Sequence, residues 1–185
     1  PIGDSAPVLM ALGARLVLRR GSAVREMPLD AFYVDYLKNR LEPGEFLQAV
    51  VVPPADPQLA LRAWKISKRS DCDISALAAA LALRCDAGVV REARFAFGGM
   101  AATVRRAAAT EAALLGQPWT EASLQRAQQA LARDFTPLTD LRASADYRLA
   151  AARGLLRRLW LETRPEAPLD ASQTQVQAHA AEVQP

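Results

Sequence analysis

The sequence predicts an α+β fold in which antiparallel strands come first and helices follow. Two patterns carry this expectation. Up to about Phe97, short stretches of alternating apolar and polar residues are separated by turn signals at Gly21-Ser22, Glu42-Pro43-Gly44-Glu45 and Asp86-Ala87-Gly88; a period of two is the mark of a half-buried strand. From Val104 to Glu162 the pattern becomes helical, with N-cap residues and a stopping glycine bracketing the segments. At 185 residues and 51% apolar content, the chain can bury the core of one ordinary domain, or of a small domain plus part of another.

Taken in order, Pro1-Ile2-Gly3-Asp4 reads as a turn and Pro7 to Leu12 as a short helix stopped by Gly13, as though the chain were entered in the middle of a domain. Ala14 to Arg20 and Ala23 to Leu29 alternate on either side of Gly21-Ser22 and predict a hairpin. A linker-like stretch with Tyr33 and Tyr36 leads to the β-branched run Phe46 to Val52, which ends at Pro53-Pro54. Pro53, Pro54 and Pro57 mark a domain boundary. Leu61 to Ser67 alternates as a strand, and the charged loop Lys68 to Asp73 interrupts it. Ile74 to Arg84 (ISALAAALALR) is ambiguous: alanine and leucine favour helix, yet the following Asp86-Ala87-Gly88 and the alternating Val89 to Phe97 complete a hairpin, so strand is expected. Three helices are predicted, over about Val104 to Leu115 with Gly116 as the stop, Glu121 to Arg133 entered through Thr120, and Ala145 to Glu162 entered through Ser144. In the last, Tyr147, Ala151, Leu155 and Leu159 recur every four residues and are expected to face a core. From Arg164 onward no apolar period persists, and a disordered tail is expected.

Composition excludes several functions. The net charge of +3 arises from dispersed basic residues, which argues against a nucleic-acid binder. Cys72 and Cys85 form no Cys-x-x-Cys pair, so neither a disulfide scaffold nor a zinc or iron–sulfur site is expected, and reduced thiols point to the cytoplasm. The longest apolar run, Ile74 to Leu83, is about half of the roughly 20 residues that span a bilayer, and no signal-peptide core opens the chain. His179, the single histidine, lies in the tail, which leaves no histidine-based triad or metal site. Phe97-Gly98-Gly99-Met100 reads either as a phosphate cradle or, by preference, as a backbone device at a strand end. Lys65 reads as a snorkelling lysine on a sheet edge or as a fixed cation beside an acceptor that gains negative charge. Lys68, Arg69, Asp71 and Asp73 read as a solvated surface loop.

In sequence order, PIGDSAPVLMALGA, EPGEFLQAVVVP, WKISKRSDCDIS, REARFAFGGMAATVRRAAATEAALLGQPW and DLRASADYR resemble the flavin-binding subunit or domain of the molybdenum hydroxylases, nearest to the small subunit of bacterial xanthine dehydrogenase. The likeness runs from Pro1 to about Thr163. It implies an FAD-binding module that accepts electrons from a molybdopterin centre through 2Fe-2S clusters, both carried by other parts of a hetero-oligomer, and passes them to NAD in hypoxanthine or xanthine oxidation. By the same resemblance, Asp4 matches an acidic FAD contact, Leu47 a position whose backbone touches the flavin, Lys65 a lysine that reaches it, and Arg69 a basic position near the ring on a loop that shapes access for NAD. The FAD pyrophosphate would rest on glycine-rich loops upstream of the segment matching Pro1 to Asp4, and no catalytic residue or metal ligand is implied here. Residues 1–54 would end the second FAD-binding subdomain, 55–163 would form a C-terminal domain with a three-stranded antiparallel sheet covered by helices, and 164–185 would be the tail. The resemblance decides Ile74 to Arg84 for strand and makes the Gly98-Gly99 pair a strand exit. Three alternatives stand beside it: a flavoprotein of carbon monoxide dehydrogenase, one of an aromatic hydroxylase or reductase, and a docking module that holds no FAD alone.

Overall fold

Three hairpins organise the computed structural model, which describes residues 3–69 and 71–174. Helix α1 (Ser5–Ala11) is followed by Gly13, whose φ of +74° turns the chain back at low cost. Strands β1 (Arg15–Arg20) and β2 (Ala23–Pro28) form the expected hairpin across Gly21-Ser22. The stretch around Tyr33 and Tyr36 is not a plain linker: a 3₁₀ turn at Leu29–Ala31 leads into a small hairpin of β3 (Tyr33–Asp35) and β4 (Lys38–Asn39). Strand β5 (Phe46–Val51) returns along β1, giving a sheet of order β2-β1-β5 with β5 at its edge.

The second sheet contains β6 (Ala60–Ile66), β7 (Leu77–Asp86) and β8 (Val89–Gly98), all antiparallel. These are the three strands expected. A fourth, β9 (Arg105–Arg106), adds to β8 by pairing Arg105 with Phe97 and Arg106 with Ala96. Helix α2 consequently starts later than the pattern predicted, at Ala108, and runs to Leu114. Residues 104–107 are needed by the sheet, because Ala107 N–H donates to Phe95 O at 2.8 Å.

Strand β7 explains its own ambiguous sequence. Leu77, Ala79, Leu81 and Leu83 enter the core formed with the later helices, whereas Ala80 and Ala82 enter a second core with Met10, Ala11, Leu16 and Leu18. A strand buried on both faces shows no polar alternation. Its small side chains face α1 because that helix lies close against the sheet. Residues with helical propensity are thus held extended by pairing on both edges, with β6 and β8.

Helix α3 (Glu121–Asp134) opens with a reciprocal Thr120–Ser123 capping box, and α4 (Ala145–Thr163) is capped by the Ser144 hydroxyl. The Asp134 carboxylate, at the end of α3, caps the first turn of α2: it accepts from Ala109 N at 2.7 Å, Thr110 N at 2.9 Å and Thr110 Oγ1 at 2.7 Å. The predicted ladder on α4 is corrected at its start. Tyr147 is exposed, and the buried positions are Arg148, Ala152, Leu155, Leu156, Leu159 and Glu162. Arg148 displaces the pattern because its guanidinium runs inward to the carbonyls of Ala76 and Gly99. Residues 164–174, expected to be disordered, take a course along α4: Leu169 N donates to Leu161 O at 2.8 Å, and a 3₁₀ turn spans Ala171–Thr174. The rest of the predicted tail, with His179, lies outside the described residues. No helix among the described residues is long and apolar enough to cross a membrane.

Candidate functional site: a carboxylate–ammonium pair at the head of the first helix

Asp4 occupies the N-cap of α1 yet makes no side-chain cap to that helix. Its carboxylate is engaged elsewhere. Oδ2 accepts from Lys65 Nζ at 2.9 Å, and Oδ1 accepts from the hydroxyl of Ser75. Lys65 reaches this position because it stands near the end of β6, opposite Ala78 of β7. Its ammonium also donates to the main-chain carbonyl of Asp73 at 2.6 Å. Two of the resemblance-based residues, sixty-one positions apart in sequence, therefore meet in one ion pair.

The charged loop is folded around Asp73. Its Oδ2 accepts from the amides of Lys68 and Arg69, each at 3.0 Å, and its Oδ1 accepts from Ile74 N at 3.0 Å. These amides, that of Arg69 foremost, hold the Asp73 carboxyl below its usual range. Arg69 folds back on the same loop, donating from Nη2 to Cys72 O at 2.7 Å. It lines a cavity of about 290 Å³ with Leu141 and Arg142. Lys68 ties the loop to that neighbour by donating from Nζ to Leu141 O at 2.7 Å. The loop read from sequence as merely solvated is a braced turn whose Asp73 carbonyl contacts Lys65.

Leu47 stands apart from this cluster. It is on β5, paired with Leu18, and is exposed. Because β5 is the edge strand, its backbone is paired along one side only. A contact made by the Leu47 backbone, as the resemblance implies, suits such an edge.

The electrostatics of the pair favour a charged carboxylate. The Ser75 hydrogen bond, and after it the Lys65 hydrogen bond and charge, hold the Asp4 carboxyl below its ordinary value against a smaller opposing effect of burial. The Asp4 and Lys65 side chains are 48% and 41% exposed, so both can be reached from outside. An ammonium carries three donors and a carboxylate about four acceptor sites. Lys65 uses two donors here and Asp4 two acceptor sites. The remaining capacity is one cationic donor beside an anionic acceptor, which fits a ligand bearing hydroxyls together with a carbonyl that gains negative charge. The ribityl chain and pyrimidine ring of a flavin have that chemistry. A cavity of about 390 Å³ opens beside Gly3 and Ser5, between the β3–β4 hairpin and residues 102–104.

Ser75 was not singled out by the sequence. Its only signal is a small polar residue placed just before an apolar run, in a site that proves 2% exposed. Gly98 and Gly99 were singled out and lie at the end of β8, where Gly99 has φ +82°. A Cβ there would stand 2.6 Å from Ala76 O and 3.0 Å from Arg148 Nη1. Gly99 thus admits a close backbone approach.

Comparison with known proteins places this architecture. Residues 62–163 match the CO dehydrogenase flavoprotein C-terminal domain, and residues 1–55 match the FAD binding domain in molybdopterin dehydrogenase. The nicotinate hydroxylase hnxS of Emericella nidulans is 34% identical over 86% of this chain and 12% of its own length. The xanthine dehydrogenase of the same organism is 35% identical over 73% of this chain and 10% of its own. The solved carbon monoxide dehydrogenase from Hydrogenophaga pseudoflava aligns with a TM-score of 0.78 at 30% identity, over 84% of this chain and 54% of the matched one. The chain therefore spans about a tenth of the long fungal relatives and about half of the matched structural chain. With both family matches in their expected order along one fold, the chain belongs to the FAD-binding flavoproteins of the molybdopterin dehydrogenases, in the CO dehydrogenase flavoprotein family.

Proposed function

We propose that this chain is the FAD-holding electron-transfer part of a cytoplasmic, NAD-dependent xanthine dehydrogenase. Electrons would arrive from a molybdenum-binding large subunit through an iron–sulfur domain, and hypoxanthine or xanthine would be oxidised elsewhere in the assembly. Bound FAD supplies the capacity to accept an electron pair and return it to a second acceptor. In this reading Asp4 holds flavin hydroxyls, Lys65 donates to the ring where negative charge builds on reduction, the Leu47 backbone packs at the ring edge, and Arg69 lines the approach for NAD. The Asp4–Lys65 pair carries the proposal, since it sets a partly exposed cation and acceptor side by side at a helix head. A cation fixed before reduction stabilises the reduced flavin without reorganising solvent.

The test is Lys65→Met in the assembled enzyme. Loss of about 1.4 kcal/mol of preference for the reduced form lowers a two-electron potential by about 30 mV, and the midpoint should fall by at least that amount while FAD content declines. An unchanged potential and unchanged FAD content would refute the assignment. Substrate choice is tested by following NAD reduction with hypoxanthine and xanthine. A second reading, a carbon monoxide dehydrogenase or aromatic hydroxylase flavoprotein, is favoured by the 0.78 TM-score to the first and the 34% identity to nicotinate hydroxylase. It predicts turnover with carbon monoxide or nicotinate instead. A colourless purified chain without a flavin absorption band would support the docking-module reading for the chain alone.

A further inference from the structure

We infer that Ser75 is a positioning residue for flavin binding, acting through Asp4. The inference rests on reading Asp4 and Lys65 as flavin contacts. Ser75 is 2% exposed, so its hydroxyl has no bulk water to turn to, and it donates to Asp4 Oδ1. A carboxylate held by one oxygen loses its freedom to rotate about its terminal bond, and its second oxygen is thereby presented to Lys65 Nζ at 2.9 Å. The backbone contributes the other fixed point. Two residues before Ser75, the Asp73 carbonyl accepts from the same ammonium at 2.6 Å. One short segment, residues 73–75, thus fixes both members of the pair, and the third proton of the Lys65 ammonium remains for a ligand. The Asp4 carboxylate needs this help because it lies at an N-cap without bonding to its own helix.

The arrangement separates Ser75 from a residue that merely fills space. Alanine removes one oxygen from a buried site and keeps the backbone, so packing changes little. The loss is the charge-assisted hydrogen bond, and with it the orientation of Asp4.

In the assembled flavoprotein, Ser75→Ala should raise the FAD dissociation constant roughly ten- to a hundredfold, the scale of one hydrogen bond to a charged group, as read by titrating FAD into the deflavinated protein. Ser75→Thr keeps the hydroxyl and should restore binding to within about twofold of wild type. Because Ser75 acts through Asp4, adding Ser75→Ala to Asp4→Ala should weaken FAD no further, whereas independent structural effects would add. If Ser75→Ala does not assemble, Ser75→Cys, similar in volume and a weak donor, should shift affinity in the same direction. Unchanged FAD affinity in the Ser75 variants, or full additivity with Asp4→Ala, overturns the role of Ser75 even if Lys65→Met weakens FAD. Unchanged affinity and potential in Asp4→Ala and Lys65→Met as well would remove the flavin reading beneath it.

Discussion

Replacing Arg148 by methionine isolates a buried polar junction that the fold depends on. The side chain is 3% exposed. Its Nη1 donates to the main-chain oxygens of Ala76 and Gly99, the latter at 2.7 Å, and its Nη2 donates to Asp140 Oδ1 at 2.7 Å. Methionine keeps most of the apolar stem and removes all three bonds. Each of the two main-chain acceptors left without a donor costs about 1–3 kcal/mol, so the two carbonyls account for most of the loss. Asp140 is the least affected, because the amides of Arg142 and Ala143 also bond its carboxylate. A loss of about 3–5 kcal/mol is therefore expected, measured by urea unfolding with circular dichroism on the purified chain. At about 2–4 °C per kcal/mol for a chain of this size, Tm should drop by about 6–20 °C. The pH dependence follows from Asp140. Burial pushes its carboxyl up, but those two amides and the Arg148 guanidinium outweigh it and hold the pKa at about 2 against an ordinary value of 3.8. A depressed carboxylate stabilises the fold above its unfolded pKa, and this is lost as pH falls toward the folded value. The gap between wild type and Arg148→Met should thus be constant above about pH 5 and narrow below pH 4. Arg157→Met, which loses only an exposed 3.9 Å contact with Glu121, serves as the control and should cost less than about 1 kcal/mol. An Arg148→Met protein within 1 kcal/mol of wild type would refute the reasoning.

Two further expectations come from neighbouring contacts. Gly99→Ala meets both a positive φ of +82° and a main-chain oxygen 2.6 Å from the new Cβ; since left-handed backbone alone costs an L-residue about 1–2 kcal/mol, the total should exceed 2 kcal/mol in the same unfolding assay. Asp134→Ala strips three hydrogen bonds from the start of α2 and should cost about 2–3 kcal/mol. Asp134→Asn, with one acceptor oxygen kept, should recover part of that loss, and equal stability of both variants would argue against the contact.

Much of this fold was legible because local signals agreed. Thr120 and Ser144 announced α3 and α4 correctly, and the Asp86-Ala87-Gly88 turn announced the β7–β8 hairpin, where Ala87 and Gly88 have φ values of +46° and +74°. The failures share a physical cause, which is that long-range partners decided them. Residues 105–106 read as helix until β8 offers them a strand partner. Tyr147 read as core because an arginine on the inner face of a helix is not what an apolar period predicts, and only the carbonyls of Ala76 and Gly99 make it sensible. At the site, Asp4 and Lys65 were found through family resemblance. Neither composition nor spacing could show that they touch, and Ser75, between an aspartate-rich loop and an alanine-rich strand, carried no motif of its own.

The alanine positions of β7 have one more consequence. Ala80 and Ala82 share a core with Met10 and Ala11, so the width of that layer acts as a spacer gauge for the seat of α1. Asp4 rides at the head of the same helix. A bulkier side chain at Ala80 would have to lift the helix, and with it the carboxylate, away from Lys65 and Ser75. Alanines in the second core would thereby set the reach of the pair proposed to hold the flavin.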